Sequence, residues 1–413
     1  MPEFLKLIEP SIAREYLLAQ IDDNLISVER LPSVDAIERI LAQDVTSPHD
    51  LPNFVRSTVD GYAVRSKDTH GASESIPGYL KVVGEVQMGE EANVDIGVGE
   101  CVVIHTGGML PEMADAVLMV EYTETTKKGE IEFYRSVSIG ENVIQIGEDI
   151  RQGEIVLEKG KKLRPSDIGG LMALGIEQVL VTRKLTIGIL STGDELIDLS
   201  QPYKKGKIRD INSHTLGAVL ISHGYIPRYY GIAKDVFDDV YNKAIVALEE
   251  NDALIITAGS SASVRDLTAD VINKLGAPGV LVHGLNTKPG KPTILGMCAN
   301  KPVIGLPGNP VSALTNIYMM VLPALRKLSG EISTKHFPYI TGRLTVNINS
   351  LAGREDWVPV NIAYQGDEIL ITPIFGKSNL IFNLSKADAF VQVQPSQTGI
   401  MENSMVKAYL QEQ

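Results

Sequence analysis

The sequence is poor in the residues that build disulfide frameworks and zinc sites. Only two cysteines, Cys101 and Cys298, occur among its 413 residues, so we expect no disulfide framework, and this low content suits a reducing cytosol. The seven histidines are scattered. Without a pair at helical spacing or a Cys/His cluster, they argue against a zinc site.

Long hydrophobic runs and several familiar nucleotide and hydrolase motifs are also missing. The apolar segment IYMMVLPAL is too short to span a membrane and contains Pro323. The first residues, MPEFLKLIEP, lack the basic and apolar regions of a signal peptide, so we expect a cytoplasmic protein. No G-x-G-x-x-G, Walker A or nucleophile-elbow motif is present, which argues against dinucleotide oxidoreductases, P-loop NTPases and α/β-hydrolases. A net charge of −13 argues against binding to nucleic acid or to an anionic membrane.

The patterns that are present predict an α/β multidomain protein. Residues 1–45 carry two amphipathic helical patterns, SIAREYLLAQI and SVDAIERILAQDV, which we expect to join the domains at 148–184 and 185–330. Residues 46–147 are predicted to form an inserted β-rich domain, and residues 148–184 a small connecting α+β segment with a helix from near Ser166. Residues 185–330 alternate between β and α patterns, which predicts a doubly wound parallel sheet, and residues 331–413 predict a second β domain, similar to a barrel.

Unusual loops occur in the doubly wound region beside its predicted strands. Gly259 to Asp266 follows the strand Ala253–Ala258, Lys288 to Lys291 precedes another strand, and Pro307 to Pro310 opens a helix. Ligands of such sheets bind at the carboxyl ends of the strands. With Asn309 as helix cap and Pro310 in the first turn, free N–H groups would face an anion.

Charged residues in these turns have both structural and functional interpretations. Acids in turns, Asp60, Asp194, Glu195, Asp210, Asp235 and Asp266, could hold Mg²⁺ together with substrate phosphates. Each could equally be a turn residue or a first-turn helical acid. Lys288 and Lys291 flank Pro-Gly, which suits both a type II turn and a phosphate cradle, and we favour the cradle. The turn Thr106-Gly107-Gly108 could offer a hydroxyl and N–H groups to an anion, or be only a turn.

Six motifs together resemble the MoeA family, the molybdopterin molybdenumtransferases, which are related to the E domain of gephyrin. They are STVDGYAV, HTGGMLPEMADAV, GEDIRQG, LSTGDEL, HGLNTKPGKPT and GLPGNPVSAL. The resemblance covers nearly the whole chain in the family's order. It implies a MogA-like doubly wound domain beside the inserted and C-terminal β domains. The loop AGSSASVRDLT departs from the family's common GGVSVG pattern but retains Asp266.

The resemblance implies insertion of molybdate, or tungstate, into adenylylated molybdopterin with Mg²⁺ and release of AMP. It also implies a homodimer whose active site lies between the doubly wound domain of one subunit and the inserted β domain of the other, with a MogA-like protein as a further partner. By motif position the catalytic residues would be Asp60, Thr106, Glu195, Asp235, Asp266 and Lys288, with Glu195 and Asp266 as metal ligands. Residues expected to contact the bound cofactor are Lys291, Gly290, Ser260, Ser261, Pro307, Gly308, Asn309, Pro310 and Ser378.

Other functions remain open on the sequence alone. A tungstate-using enzyme would share every motif. A molybdopterin adenylyltransferase would share the doubly wound fold, but the GGTG sequence typical of that group is absent. A non-catalytic molybdopterin-binding scaffold is the alternative from another class, and the acids and lysines at the turns argue against it.

Overall fold

The computed structural model describes residues 7–22, 27–259, 262–332, 338–377 and 379–411, and it consists of helices connected to many short strands. The α-helices are α1 Pro10–Ala19, α2 Pro165–Ala173, α3 Asn212–Ser222, α4 Phe237–Glu250, α5 Ala262–Leu275, α6 Pro310–Asn316, α7 Leu322–Leu328 and α8 Ile381–Leu384. A π-helical turn, Ile317–Val321, joins α6 to α7, and 3₁₀ turns occur at Ser33–Asp35, Ser66–Thr69 and Val120–Tyr122.

The strands are numbered along the chain. In the first half they are β1 Val28–Pro32, β2 Val45–Thr46, β3 Arg56–Ser57, β4 Gly61–Val64, β5 Gly78–Glu85, β6 Glu100–Ile104, β7 Ala116–Met119, β8 Thr123–Thr125, β9 Glu130–Phe133, β10 Val143–Ile144, β11 Ile155–Leu157, β12 Gln178–Thr182, β13 Thr186–Thr192 and β14 Leu196–Ile197. In the second half they are β15 Ile208–Arg209, β16 Ile226–Ala233, β17 Ala253–Ala258, β18 Pro278–His283, β19 Thr287–Lys288, β20 Ile294–Cys298, β21 Lys301–Pro307, β22 Tyr339–Leu344, β23 Ile348–Asn349, β24 Glu355–Gln365, β25 Glu368–Pro373, β26 Ala389–Val393, β27 Gly399–Ile400 and β28 Met405–Leu410.

These elements form two compact units. The first unit contains Met1–Ala42, Lys159–Arg164 and Leu180–Gln413, and the second contains Gln43–Glu158 and Pro165–Val179. The second unit is built on a six-stranded sheet of order β7-β4-β6-β5-β9-β8, with β2 paired to β11 beside it. This β-rich unit agrees with the predicted insertion. The boundaries proposed for the individual domains stay predictions.

The first unit contains the predicted doubly wound domain. Its sheet has the order β16-β13-β17-β21-β20-β18, in which β16, β13, β17 and β21 are parallel and β20 and β18 antiparallel. Side chains of β17 alternate between two cores: Ile255 packs with α1, α3 and α6, and Ile256 with α4 and α5. Because both faces are covered by helices, the strands are nearly continuous apolar runs, as the sequence indicates.

The C-terminal region of the first unit is a closed barrel. Strands β24, β25, β22, β28 and β26 pair in that order, and β26 pairs again with β24. Its interior includes Leu344, Ile371 and Val391, all fully or almost fully buried. The predicted barrel-like β domain is therefore confirmed.

The prediction of a second N-terminal helix is wrong. The first is α1, but the helical part of SVDAIERILAQDV is limited to the short 3₁₀ turn at Ser33–Asp35, and its last residue begins β2. In this segment Ile40 bridges to Lys162 and Leu41 to Val181, so its backbone pairs with distant extended chain. Such tertiary pairing overrides a helical period that depends on local sequence alone.

Candidate active site

Five strands bring the predicted loops of the first unit to one edge of its sheet. The carboxyl ends of the parallel strands are in register, since Thr192 lies opposite Ala233 and Ala258 opposite Pro307. Strand β20 runs the other way, with Ile294 opposite Gly305. The loop that precedes β20 therefore reaches the same edge as the loops that follow β13, β16, β17 and β21.

An acidic corner, defined by Asp194, Glu195 and Asp235, forms where β13 and β16 end. The backbone N–H of Asp235 donates to Asp194 Oδ1 at 3.4 Å. Asp235 Oδ1 is buried and has no hydrogen-bond partner among the residues that the structure describes. Burial raises the pKa of Asp235, and the negative charges of Glu195 and Asp194 raise it further, while hydrogen bonds act in the opposite direction. This carboxylate is therefore short of positive charge.

The basic segment KKGKIRD, residues 204–210, contacts the acidic corner. Lys207 donates a hydrogen bond to the carbonyl oxygen of Asp194 and so contacts the acidic corner. Asp210 accepts the N–H of Ser213 at 3.2 Å, at the start of α3. The buried side chain of Asn212 donates to the carbonyl oxygen of Gly308 at 2.8 Å. Sequence reasoning missed Asn212, and its position directly after Ile-Arg-Asp-Ile gave no recognisable signal.

The lysine loop, residues 288–291, is held by both neighbouring domains of the first unit. The backbone of Lys288, in β19, lies opposite Asp356 in the barrel strand β24, and the two strands are parallel. Gly290 has φ +106°, and a Cβ atom there would lie 1.9 Å from Asn316 Nδ2, so glycine is required by space as well as by conformation. The side chains of Lys288 and Lys291 are exposed. Within the described chain neither makes a hydrogen bond or ion pair, which leaves both amino groups available to a ligand.

A small cleft lies at the ends of β17 and β21, beside Pro292, the residue that follows the lysine loop. Ala258, Gly259, Pro292 and Pro307 line it, with Thr268, Ile294, Gly305 and Leu306 below. The backbone of Gly308 lies close to the end of β17, since a Cβ atom on Gly308 would be 3.0 Å from the Ala258 carbonyl oxygen. The cleft therefore lies where the sequence predicts ligand binding.

The helix after the cleft begins as predicted but is capped differently. Pro310 is the first residue of α6, and Asn309 has the extended backbone of an N-cap residue. The Asn309 side chain makes no capping hydrogen bond, contrary to what the cap prediction implies.

Three of the predicted positions lie outside the described residues: Ser260, Ser261 and Ser378. Asp266 lies in α5 with an exposed side chain, and among the described residues it forms neither a hydrogen bond nor an ion pair. The structure thus brings Glu195 together with Asp235, whereas Asp266 contacts neither of them within the described residues. Its assignment as a metal ligand stays a prediction.

The second unit carries the other two predicted catalytic residues, and they are in contact. Asp60 Oδ1 accepts the backbone N–H of Thr106 at 2.8 Å and its hydroxyl at 3.2 Å. These hydrogen bonds are the main cause of a lowered Asp60 pKa, and the nearby His105 contributes in the same direction. His105 and its partner Glu85, 2.9 Å apart, were missed, because nothing in the sequence relates residue 85 to residue 105.

Similarity to known proteins extends over nearly the whole chain. Residues 8–175 match the MoeA N-terminal region (domain I and II), residues 188–327 a probable molybdopterin binding domain, and residues 341–410 the MoeA C-terminal region (domain IV). A putative molybdopterin biosynthesis protein of Methanocaldococcus jannaschii is 36% identical over 97% of this chain and 96% of its own length. The chain belongs to the MoeA family. The resemblance in sequence motifs is therefore confirmed.

Two further MoeA relatives agree along nearly their full lengths. The molybdopterin molybdenumtransferase of Haemophilus influenzae is 34% identical, with 92% of each chain covered. The crystal structure of a molybdopterin biosynthesis MoeA protein from Pyrococcus horikoshii superposes with a TM-score of 0.79 at 36% identity, covering 98% of this chain and 99% of that one. The predicted assignment to a transferase family is thus confirmed, and so is the fold.

The donor set at the acidic corner fits a divalent cation that is shared with a ligand. Within the ranges that the structure describes, no three His, Cys, Asp or Glu side chains are arranged as a complete metal site. Mg²⁺ commonly uses only one or two carboxylates, together with water and substrate phosphates. The unpartnered Asp235 oxygen suits such a site. None of the described helices is long and apolar enough to cross a membrane.

Proposed function

We propose that this MoeA-family chain inserts molybdate into adenylylated molybdopterin, releasing AMP. The observation that carries the proposal is the single sheet edge that holds both the exposed lysine loop before β20 and the desolvated Asp235 carboxylate after β16. An anionic, pyrophosphate-linked substrate requires cations around its phosphates and oxygen ligands for its Mg²⁺. The name of the Haemophilus relative supports the same reaction class.

Each part of this edge has a chemical task in the proposal. Lys288 and Lys291 would bind phosphate oxygens as point charges on a loop fixed at Gly290. Glu195 and Asp235 would hold Mg²⁺, with Asp266 as a further candidate ligand. Mg²⁺, when bound, would neutralise phosphate charge and so stabilise the departing AMP. No covalent nucleophile from the protein is needed.

The assembly is also part of the proposal. Asp60 and Thr106 would serve the same reaction in a homodimer whose active site combines the second unit of one subunit with the doubly wound domain of the other. The donated N–H and hydroxyl of Thr106 keep Asp60 ionised and oriented. A cytoplasmic MogA-like protein that supplies the adenylylated substrate would be the partner, and no contact with nucleic acid or membrane is required.

An anaerobic turnover experiment tests the reaction. Purified protein, adenylylated molybdopterin and Mg²⁺ are incubated with molybdate, with tungstate or with neither, and AMP release and pterin-bound metal are measured. We expect oxyanion-dependent AMP release with stoichiometric metal insertion. Asp235→Asn should abolish it, and Asp367→Asn, an exposed turn acid of the barrel, should behave as wild type.

The other outcomes identify the alternatives. Faster turnover with tungstate would name tungstate as the substrate. Release of pyrophosphate from ATP with free molybdopterin, and none of AMP, would indicate an adenylyltransferase. Tight binding of adenylylated molybdopterin without release of AMP would indicate a scaffold and would contradict the proposed transfer.

A further inference from the structure

His105 lies in a charged cluster that none of the predicted roles explains. The residue follows β6, Glu85 is the last residue of β5, and Asp60 directly precedes β4. Strands β5 and β6 are parallel, and β4 is antiparallel to β6, with Gly61 opposite Ile104. The three side chains therefore meet at one edge of the sheet in the second unit.

The contact with Glu85 determines which nitrogen of the His105 ring is the donor. Nε2 lies 2.9 Å from Glu85 Oε1, and because a carboxylate can only accept, Nε2 must be the donor. Nδ1 lies 3.8 Å from Asp60 Oδ1. A neutral ring would direct the Nδ1 lone pair toward this carboxylate, whereas a doubly protonated ring is attracted by both neighbours. The imidazole ring therefore lies between two carboxylates, one on each ring nitrogen's side.

The cluster is partly open to solvent, so a ligand can reach it. The side chains of Asp60, His105 and Glu85 are 64%, 44% and 46% exposed. Asp60 Oδ1 accepts the hydrogen bonds of the Thr106 backbone N–H and hydroxyl. Among the described residues, the two carboxylates have no basic side chain other than His105 within ion-pair distance, so without a charge on this ring the cluster would repel an anion.

We propose that His105 supplies the positive charge that allows an anionic ligand oxygen to approach Asp60 and Thr106. The inference rests on the proposed function, because it takes the ligand to be anionic. The oxygen could belong to the pyrophosphate linkage of the pterin substrate or to molybdate. His105 is then a specificity-determining residue, and Glu85 positions it.

Charge compensation separates this role from a structural one. KM for each substrate is measured at about pH 6, where an imidazole carries substantial charge, for wild type, His105→Gln, Glu85→Gln and the double variant. His105→Gln should raise one KM about threefold to fivefold, the size expected of an exposed charge pair, with little change in kcat. The double variant has the same net charge as wild type and should restore that KM.

Two further readouts sharpen the test. Raising the salt concentration should shrink the His105→Gln defect, because exposed charges are screened. His70→Gln, an exposed histidine of the same unit, should leave both KM values unchanged. The substrate whose KM responds identifies the source of the anionic oxygen.

A defect that persists in the double variant and is insensitive to salt would overturn the inference in favour of a packing role. If wild type shows no turnover, the proposed function fails, and the charge test continues by calorimetry with molybdate and with inorganic pyrophosphate. A higher Kd for His105→Gln than for wild type and the double variant would then support the role of His105. Equal Kd values would refute it.

Discussion

Asp60 and Asp235 are both acids at the edge of a sheet, yet their surroundings change their pKa values in opposite directions. The pKa of Asp60 is lowered by the N–H and hydroxyl of Thr106, and by His105. The pKa of Asp235 is raised by burial, with Glu195 and Asp194 adding to the shift. One carboxylate has donors without burial, and the other has burial and like charges without enough donors.

The difference indicates different tasks for the two acids. A carboxylate that accepts two hydrogen bonds is fixed in orientation and remains an anion without any ligand. The charge of a desolvated carboxylate beside other acids is stabilised further when a cation arrives. We therefore expect cation binding at the acidic corner of the first unit and hydrogen-bonding or orienting functions at the Asp60 cluster of the second.

The largest effect should come from Asp235→Asn. We expect turnover to fall by about 100-fold or more, since the cation loses a ligand. Thermal stability should rise by about 2–4 °C, because a desolvated charge is removed. Anaerobic AMP release and thermal unfolding measure the two effects. A variant that loses activity and stability together would contradict the comparison.

The next largest effect should be on the Mg²⁺ concentration for half-maximal rate, which should change in variants of the acidic corner but not in variants of Asp60. Glu195→Gln should raise the Mg²⁺ concentration for half-maximal rate by about tenfold, whereas Asp60→Asn should lower the rate without changing that concentration. The measurement is the rate of AMP release by wild type and both variants over a series of Mg²⁺ concentrations. An equal shift in both variants would mean that Asp60 also binds the metal.

A smaller effect is expected at Thr106. Thr106→Val removes the hydroxyl that Asp60 accepts at 3.2 Å but keeps the backbone donor. The expected loss in kcat/KM is about fivefold, the size of one partly exposed hydrogen bond to a charged group. Thr106→Ser, which keeps the hydroxyl, should remain within about twofold of wild type. Equal losses in the two variants would indicate that the methyl group matters instead.

The smallest effect is on the pH dependence of stability, and its sign differs between the two acids. The stabilisation from Asp60 is complete above its unfolded pKa of about 3.9 and is lost as pH falls through its lower folded pKa. The destabilisation from Asp235 is absent below about 3.9 and develops as pH rises toward its higher folded pKa. Between pH of about 3 and 6, the Tm of wild type should therefore rise relative to Asp60→Asn and fall relative to Asp235→Asn. Parallel curves would show that neither shift exists.

Local patterns in the sequence were sufficient for the order of strands and helices in the doubly wound domain. The run at Ala253–Ala258 and the Asn309-Pro310 helix start follow from residues adjacent in the chain. The barrel and the β-rich unit were also predictable as regions. The same local logic failed for SVDAIERILAQDV, whose backbone bonds to segments more than 100 residues away.

The sequence by itself determined the family, the α/β alternation and the candidate residues at the turns, because motifs and periodicity depend on neighbouring residues. Only the tertiary structure decided that β20 runs antiparallel and so carries the lysine loop to the acidic edge. It also decided that Glu85 and His105 pair, and that Asp60 and Asp235 differ in charge stability. Burial and hydrogen bonding between distant residues determine those properties, and no local pattern encodes them.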